Sequence, residues 1–315
     1  MSLPRTPADA QPTAEMPAPA TLFRLRVYDA DAEELIRRAK QKLAPILKLR
    51  DGGKLKKIEA AQTPEELLDL SPQATGLAAD AWHAHMRSFG PPAVTAIAEA
   101  LPYIRTLEDE TTRRRIESLL ITELRWQGDA GVQTLLDVWE SLDRFTRSLA
   151  CVVLGLAGRS DGLEHVWEFY REASAAPEDG GFVGALWAML DLGEPRLADE
   201  LHRFLVQGPT FYELFGFLAR AGAAQSLGPL LAMMSARGQQ EGFEAGMAAA
   251  GIAQRVGRSA AGEALRTYDP TQAGDAGETV DLLLSRPSNE VRQVFAVYYR
   301  GFRPADVQRV MDELE

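Results

Sequence analysis

Apolar residues recur along this chain at i, i+3, i+4 and i+7, each time just after a Gly/Pro turn. Val94, Ile97, Ala98 and Leu101 form the first set. Val132, Leu135, Leu136 and Trp139 form the second, and Leu163, Val166, Trp167 and Tyr170 the third. Leu197, Leu201 and Phe204 follow, interrupted by Glu200. Then come Leu227, Leu230, Leu231 and Met234; Ala261, Ala264, Leu265 and Tyr268; and Val307, Val310, Met311 and Leu314. This spacing puts each set on one face of an α-helix. The sets start 30 to 46 residues apart. Each follows a break such as Gly90-Pro91-Pro92, Ser160-Asp161-Gly162 or Gly193-Glu194-Pro195, and before the break lies another apolar helix. Glycine ends the first helix in a left-handed cap and proline opens the second. A helical hairpin cannot bury its apolar face alone, so repeated hairpins must stack and share a core. The expected fold is all-α, an α-α superhelix or solenoid over residues 77–315.

The N-terminal quarter differs. Residues 1–20 are rich in Pro, Ala and Thr, the composition of a disordered tail, and lack the apolar stretch of a secretory signal. Residues 21–76 form a basic arm with capping helices. Within it, Phe23, Leu25 and Val27 alternate with Arg24 and Arg26, which predicts a short strand over 22–28. Asp29 to Leu49 has the pattern of a basic amphipathic helix, ended by Asp51-Gly52-Gly53. Thr63-Pro64-Glu65-Glu66 opens another helix, with Thr63 as N-cap, Pro64 at the first helical position and Glu66 completing a capping box.

Composition narrows the classes. Val, Ile and Thr are sparse beside Leu, Ala, Glu and Arg, which favours helix. The net charge of −11 disfavours nucleic acid as a partner of the whole molecule. No segment is apolar and long enough to span a membrane, and the cytoplasm is the expected location. Cys151 is the single cysteine and lies in an apolar run, where it fits a core position better than a reactive one.

Leu192-Gly193-Glu194-Pro195-Arg196-Leu197, followed by an apolar helix, resembles the turn of short bacterial HEAT repeats, the kind first noted in phycobilin lyases. Ala157-Gly158-Arg159-Ser160-Asp161-Gly162-Leu163 is a looser version. The resemblance covers roughly residues 77–315. It implies armadillo-type stacking of hairpins whose second helices line a concave surface. It implies little about activity, because such repeats serve scaffolds, adaptors and a few enzymes.

No cluster demands a particular chemistry. His83 and His85 are two apart and face different sides of a helix, so they are poor joint metal ligands; all four histidines fit a solvated surface. His165 and His202 lie at similar positions in different repeats, but no cysteine is near to complete a metal set. The glycines between Gly242 and Gly251 have helical spacing and let helices approach closely; a ligand slot against that backbone is the alternative. Arg113-Arg114-Arg115 follows Glu108-Asp109-Glu110, so Asp109 with Arg113 and Glu110 with Arg114 can pair at i, i+4. No cofactor or metal is expected, and no catalytic residue stands out.

On the second helices, the residues away from the apolar stripe include Glu99, Asp137, His165, Glu168, Asp199 and His202. This mostly acidic track is either ordinary solvation or a partner-binding surface. The expected function is a non-catalytic scaffold or adaptor that binds a protein with a basic surface. The alternative is a helical-repeat enzyme resembling bilin lyases, which would need a cofactor-sized pocket, or alkylpurine DNA glycosylases, which would need a basic groove. Charge is also segregated. Residues 21–60 carry 11 Lys or Arg against 6 Asp or Glu, while residues 61–315 carry 22 against 37. The arm around Arg37, Arg38, Lys40, Lys54, Lys56 and Lys57 is therefore expected either to dock near the first repeats or to reach an acidic partner.

Overall fold

The structure of the protein, a computed structural model, describes residues 51–295 except 76, 177–179, 209–210, 212, 237–238, 270–274, 289 and 292–293. The tail, the strand expected at 22–28, the helix expected over 29–49 and the apolar set at 307–314 lie outside the described residues.

Among the described residues every regular element is helical. Residues 51–60 are already helix, so the break expected at Asp51-Gly52-Gly53 does not occur; Asp51 is buried there. A short helix, α1 (Pro64–Asp69), follows. Six pairs of consecutive helices, hairpins by their order along the chain, come next: α2 (Leu77–Ser88) and α3 (Pro91–Ile104), α4 (Glu110–Trp126) and α5 (Gly128–Asp137), and α6 (Arg144–Leu156) and α7 (Leu163–Ser174). Then α8 (Val183–Asp191) pairs with α9 (Leu197–Gln207), α10 (Leu214–Ala221) with α11 (Leu227–Ala236), and α12 (Gln239–Val256) with α13 (Arg258–Tyr268). After them comes α14 (Ala276–Leu284).

The helices pack chiefly on those one or two places along the chain. First helices touch first helices (α2 with α4, α4 with α6, α6 with α8, α10 with α12, α12 with α14), and second helices meet as α3 with α5, α9 with α11 and α11 with α13. Trp187 of α8 meets Phe217 of α10 with ring centroids 4.6 Å apart. One hydrophobic cluster runs through these layers from Ile58 to Phe295. It buries the pattern residues Val94, Ile97, Leu101, Val132, Leu135, Val166, Trp167, Tyr170, Leu197, Leu201, Phe204, Leu227 and Leu230. The pattern weakens toward the C-terminus, where Met234 and Tyr268 are exposed.

Local chemistry sets the helix ends. Glu66 N–H donates to Thr63 Oγ1 at 3.2 Å, and the Glu66 carboxylate accepts from Gln62 N–H at 2.6 Å, one residue beyond the N-cap N–H that the expected capping box would use. Asp109 caps α4 by accepting from Thr111 N–H, so it does not pair with Arg113; Glu110 does pair with Arg114. Trp139 is buried as expected, but it sits on a 3₁₀ turn (Trp139–Ser141) beyond the end of α5. The tight bond from Ser141 N–H to Val138 O holds that turn. Where α6 meets α8 the backbones nearly touch: a Cβ on Gly184 would lie 2.3 Å from Ser148 O, and one on Gly155 2.7 Å from Ala188 Cα.

Candidate functional site

The six residues of the expected track sit on four successive second helices. Glu99 is on α3, Asp137 ends α5, His165 and Glu168 are on α7, and Asp199 and His202 are on α9. The four carboxylates are exposed and the two histidines half-buried, so the histidines are not freely solvated. The His165 ring lies 5.2 Å from the Trp139 ring of the preceding hairpin, and His202 Nδ1 is 3.0 Å from Ser226 Oγ in the turn before α11. No hydrogen bond or ion pair joins any two of the six among the described residues. Their bonds run to neighbouring groups that brace one hairpin to the next. Gln133 donates to Asp137 at 2.9 Å and accepts from Arg159, which also forks onto Asp161. Gln225 donates to Asp199 across hairpins at 3.2 Å.

A deeper brace joins α7 to α9. Tyr170 Oη donates to Glu200 at 2.6 Å and accepts from Arg203 at 3.0 Å. Burial, reinforced by Glu200, pushes the Tyr170 phenol well up. In the Gly193-Glu194-Pro195-Arg196 turn, Gly193 adopts φ 68, a left-handed conformation open to glycine at little cost. The buried Glu194 carboxylate takes both Arg196 Nε (2.7 Å) and Arg196 Nη2 (3.1 Å), and the same guanidinium stacks 4.5 Å over Trp167. Arg196 accordingly holds Glu194 down at about 2.

Two buried polar groups went unread in the sequence. His83 is buried, contrary to the surface placement expected of it. Its Nδ1 donates to Glu123 Oε2 at 2.7 Å, and Gln127 donates to Glu123 Oε1 at 3.0 Å. Arg87 lies 4.0 Å from the same carboxylate and 4.7 Å over the half-exposed Trp126 ring. With both its oxygens bonded, Glu123 fixes the imidazole tautomer and orientation. The trace in the sequence is spacing, since His83 with Arg87 and Glu123 with Gln127 are each four apart and so share a helix face. His85 points the other way, to Ile58 O at 2.7 Å. The second group is Glu117 on α4, fully buried with no hydrogen-bond partner on either oxygen. Burial, and behind it the Asp143 carboxylate, pushes it up to about 7.

Cys151 is a core group whose thiol is pushed up by burial. The glycines of α12 pack closely: a Cβ on Gly251 would lie 2.9 Å from Ala219 Cβ, and one on Gly246 would lie 2.9 Å from Met234 Sδ. A cleft of about 400 Å³ opens beside the latter between α11, α12 and α14, with exposed Met234, Phe243 and Leu282 on its walls and Thr279 and Arg286 as its polar groups. Among the described residues no three His, Cys, Asp or Glu side chains converge as a metal set, and no helix is long and apolar enough to cross a membrane.

No protein-family model, curated protein or solved structure matches this chain.

Proposed function

We propose that this protein is a non-catalytic scaffold: a solenoid of HEAT-like hairpins that offers the acidic side of its second helices to a protein partner with a basic surface. The observation that carries this reading is the placement of Glu99, Asp137, Glu168 and Asp199, which are exposed on α3, α5, α7 and α9 in turn. Hairpins that contact mainly their neighbours make an extended surface, and such surfaces are what repeat arrays present to partners. The braces at Asp137–Gln133–Arg159, Asp199–Gln225 and Tyr170–Glu200–Arg203 limit the side-chain and backbone freedom lost on binding. Charges spread along such a face favour encounter and register more than raw affinity, so binding should weaken steeply with salt.

The experiment is affinity capture from the native host by wild type and by a Glu99→Lys, Asp137→Lys, Glu168→Lys, Asp199→Lys variant. A control variant carries Glu241→Lys, Glu278→Lys and Asp281→Lys, far along the chain. The reading expects at least one stoichiometric partner that wild type and control retain and the four-site variant loses, released by salt. Equal retention by all three proteins would refute the acidic face as the binding surface. A partner that is turned over while bound would refute the non-catalytic role.

A further inference from the structure

A second cleft, of about 380 Å³, lies between α1, the turn after it, the end of α3 and the middle of α4. Its floor is apolar, made by Leu68, Ile104 and Ile116. Its lip carries Tyr103, 75% exposed, and Leu107, 38% exposed. The charged residues on its wall, Glu65 and Asp69, are both acidic and exposed. Arg115 is near, but its guanidinium donates to Pro72 O at 2.7 Å. An apolar groove with acidic walls calls for an apolar segment that carries positive charge.

Such a segment precedes the first described residue. Residues 35–50 contain Arg37, Arg38, Lys40, Lys42, Lys48 and Arg50 and no acidic residue. Leu35, Ile36, Ala39 and Leu43 recur among them at helical spacing. The attachment point is close to the groove: Lys54 Nζ donates to Thr75 Oγ1 at 3.3 Å, and Thr75 is three residues beyond Pro72 of the groove wall. The eight Cα-to-Cα steps from Leu43 to Asp51 span at most about 27 Å. Pro45 lacks an N–H and disfavours helix at Ala44, which marks a sequence boundary at the end of this apolar and basic stretch.

We infer that this groove takes residues 35–44 of the same chain, with Leu35 and Leu43 against Tyr103 and Leu107 and the basic side chains toward Glu65 and Asp69. The exposed ion pairs add little individually, so the apolar contacts hold the segment and the carboxylates select it. Tethering supplies the concentration. Held there, the segment leaves the acidic side chains of α3, α5, α7 and α9 free for a partner.

The test is disulfide trapping in the full chain, where the buried Cys151 stays inert. Leu35→Cys and Leu43→Cys are each paired with Leu107→Cys, and Leu43→Cys with Leu282→Cys is the remote control. Circular dichroism checks that every variant folds. One of the first two pairs should close within one chain about tenfold faster than the control or more, as a tethered segment at roughly millimolar effective concentration requires. Adding Glu65→Lys and Asp69→Lys should bring that rate down toward the control. Closure at the control rate for both pairs overturns the inference, and so does a disulfide formed only between two chains, which would put a second copy in the groove. Control-rate closure together with sedimentation on phosphatidylserine vesicles would assign the segment to a membrane surface instead. A fast closure indifferent to Glu65→Lys and Asp69→Lys would overturn the acidic walls as its selector.

Discussion

His83 and Glu123 form a buried hydrogen-bonded pair across α2 and α4, Nδ1 to Oε2 at 2.7 Å, with Gln127 holding the other carboxylate oxygen. Removing one member leaves a buried polar group unpaired. His83→Ala or Glu123→Ala should therefore cost about 3–5 kcal/mol in urea unfolding, as for other broken buried pairs. The double variant should cost much less than the sum of the two. Additive costs would mean that the two groups do not stabilise each other.

Glu117 makes stability depend on pH. Burial and Asp143 raise it from 4.5 to about 7, while Arg113, Arg105 and Arg114 pull it down. Below about pH 4.5 both folded and unfolded forms are protonated and no penalty exists. Between about 4.5 and 7 the unfolded chain ionises first, so stability falls with rising pH by up to about 3 kcal/mol, at 1.36 kcal/mol per unit. Glu117→Gln should flatten this slope, and Glu117→Leu should raise stability at pH 8 by about 1–3 kcal/mol. Unfolding curves between pH 4 and 8 check both.

Glu194 works from the acid side. Arg196 holds its carboxyl at about 2, so the stability it gives is present above its unfolded value near 4.5 and is lost as pH falls through 2. The guanidinium is 57% exposed, so screening limits the gain to about 1–2 kcal/mol. Arg196→Ala should return Glu194 toward ordinary carboxylate values, read by NMR titration. It should also expose the Trp167 ring that Arg196 covers, read by fluorescence. Arg196→Lys keeps the charge but loses the fork, and should recover only part of the shift.

Trp139 supports both His165 and Arg147 from its turn, and the indole itself is 2% exposed. Trp139→Ala should cost about 3–5 kcal/mol, as for other large core truncations. Melting within a degree or two of wild type would mean that the hairpin boundary at α5 does not depend on this side chain.

Gly184 faces Ser148 O so closely that an added methyl group needs the backbones of α6 and α8 to part. Gly184→Ala should destabilise by about 1–3 kcal/mol despite the better helix propensity of alanine. Gly277→Ala, with nothing within 4 Å, is the matched control and should be neutral or slightly stabilising.

The sequence by itself determined that the chain is helical and which face is buried on the second helices up to Leu230. A 3.6-residue period written in Val94, Ile97 and Leu101, or in Val166, Trp167 and Tyr170, needs no partner to be read, because one turn of helix repeats within a few residues. The turn glycines and the Thr63 cap were legible for the same reason: their effect is local. The placement of Glu99, Asp137, Glu168 and Asp199 on second helices also came from this spacing. What the period could not give was the fate of polar residues. His83 and Glu123 are 40 residues apart, and only the packing of α2 on α4 turns two apparent surface groups into a buried pair. Glu117 reads as one more carboxylate of an acidic chain until folding buries it and brings the Asp143 carboxylate near enough to repel it. Asp51-Gly52-Gly53 reads as a break, yet these three residues are helical, because tertiary contacts outweigh the roughly 1 kcal/mol that each glycine costs. Periodicity fixes a residue's direction from its own axis. Burial, protonation and partnership depend on what another helix brings to that side, and that is decided only by how the helices pack.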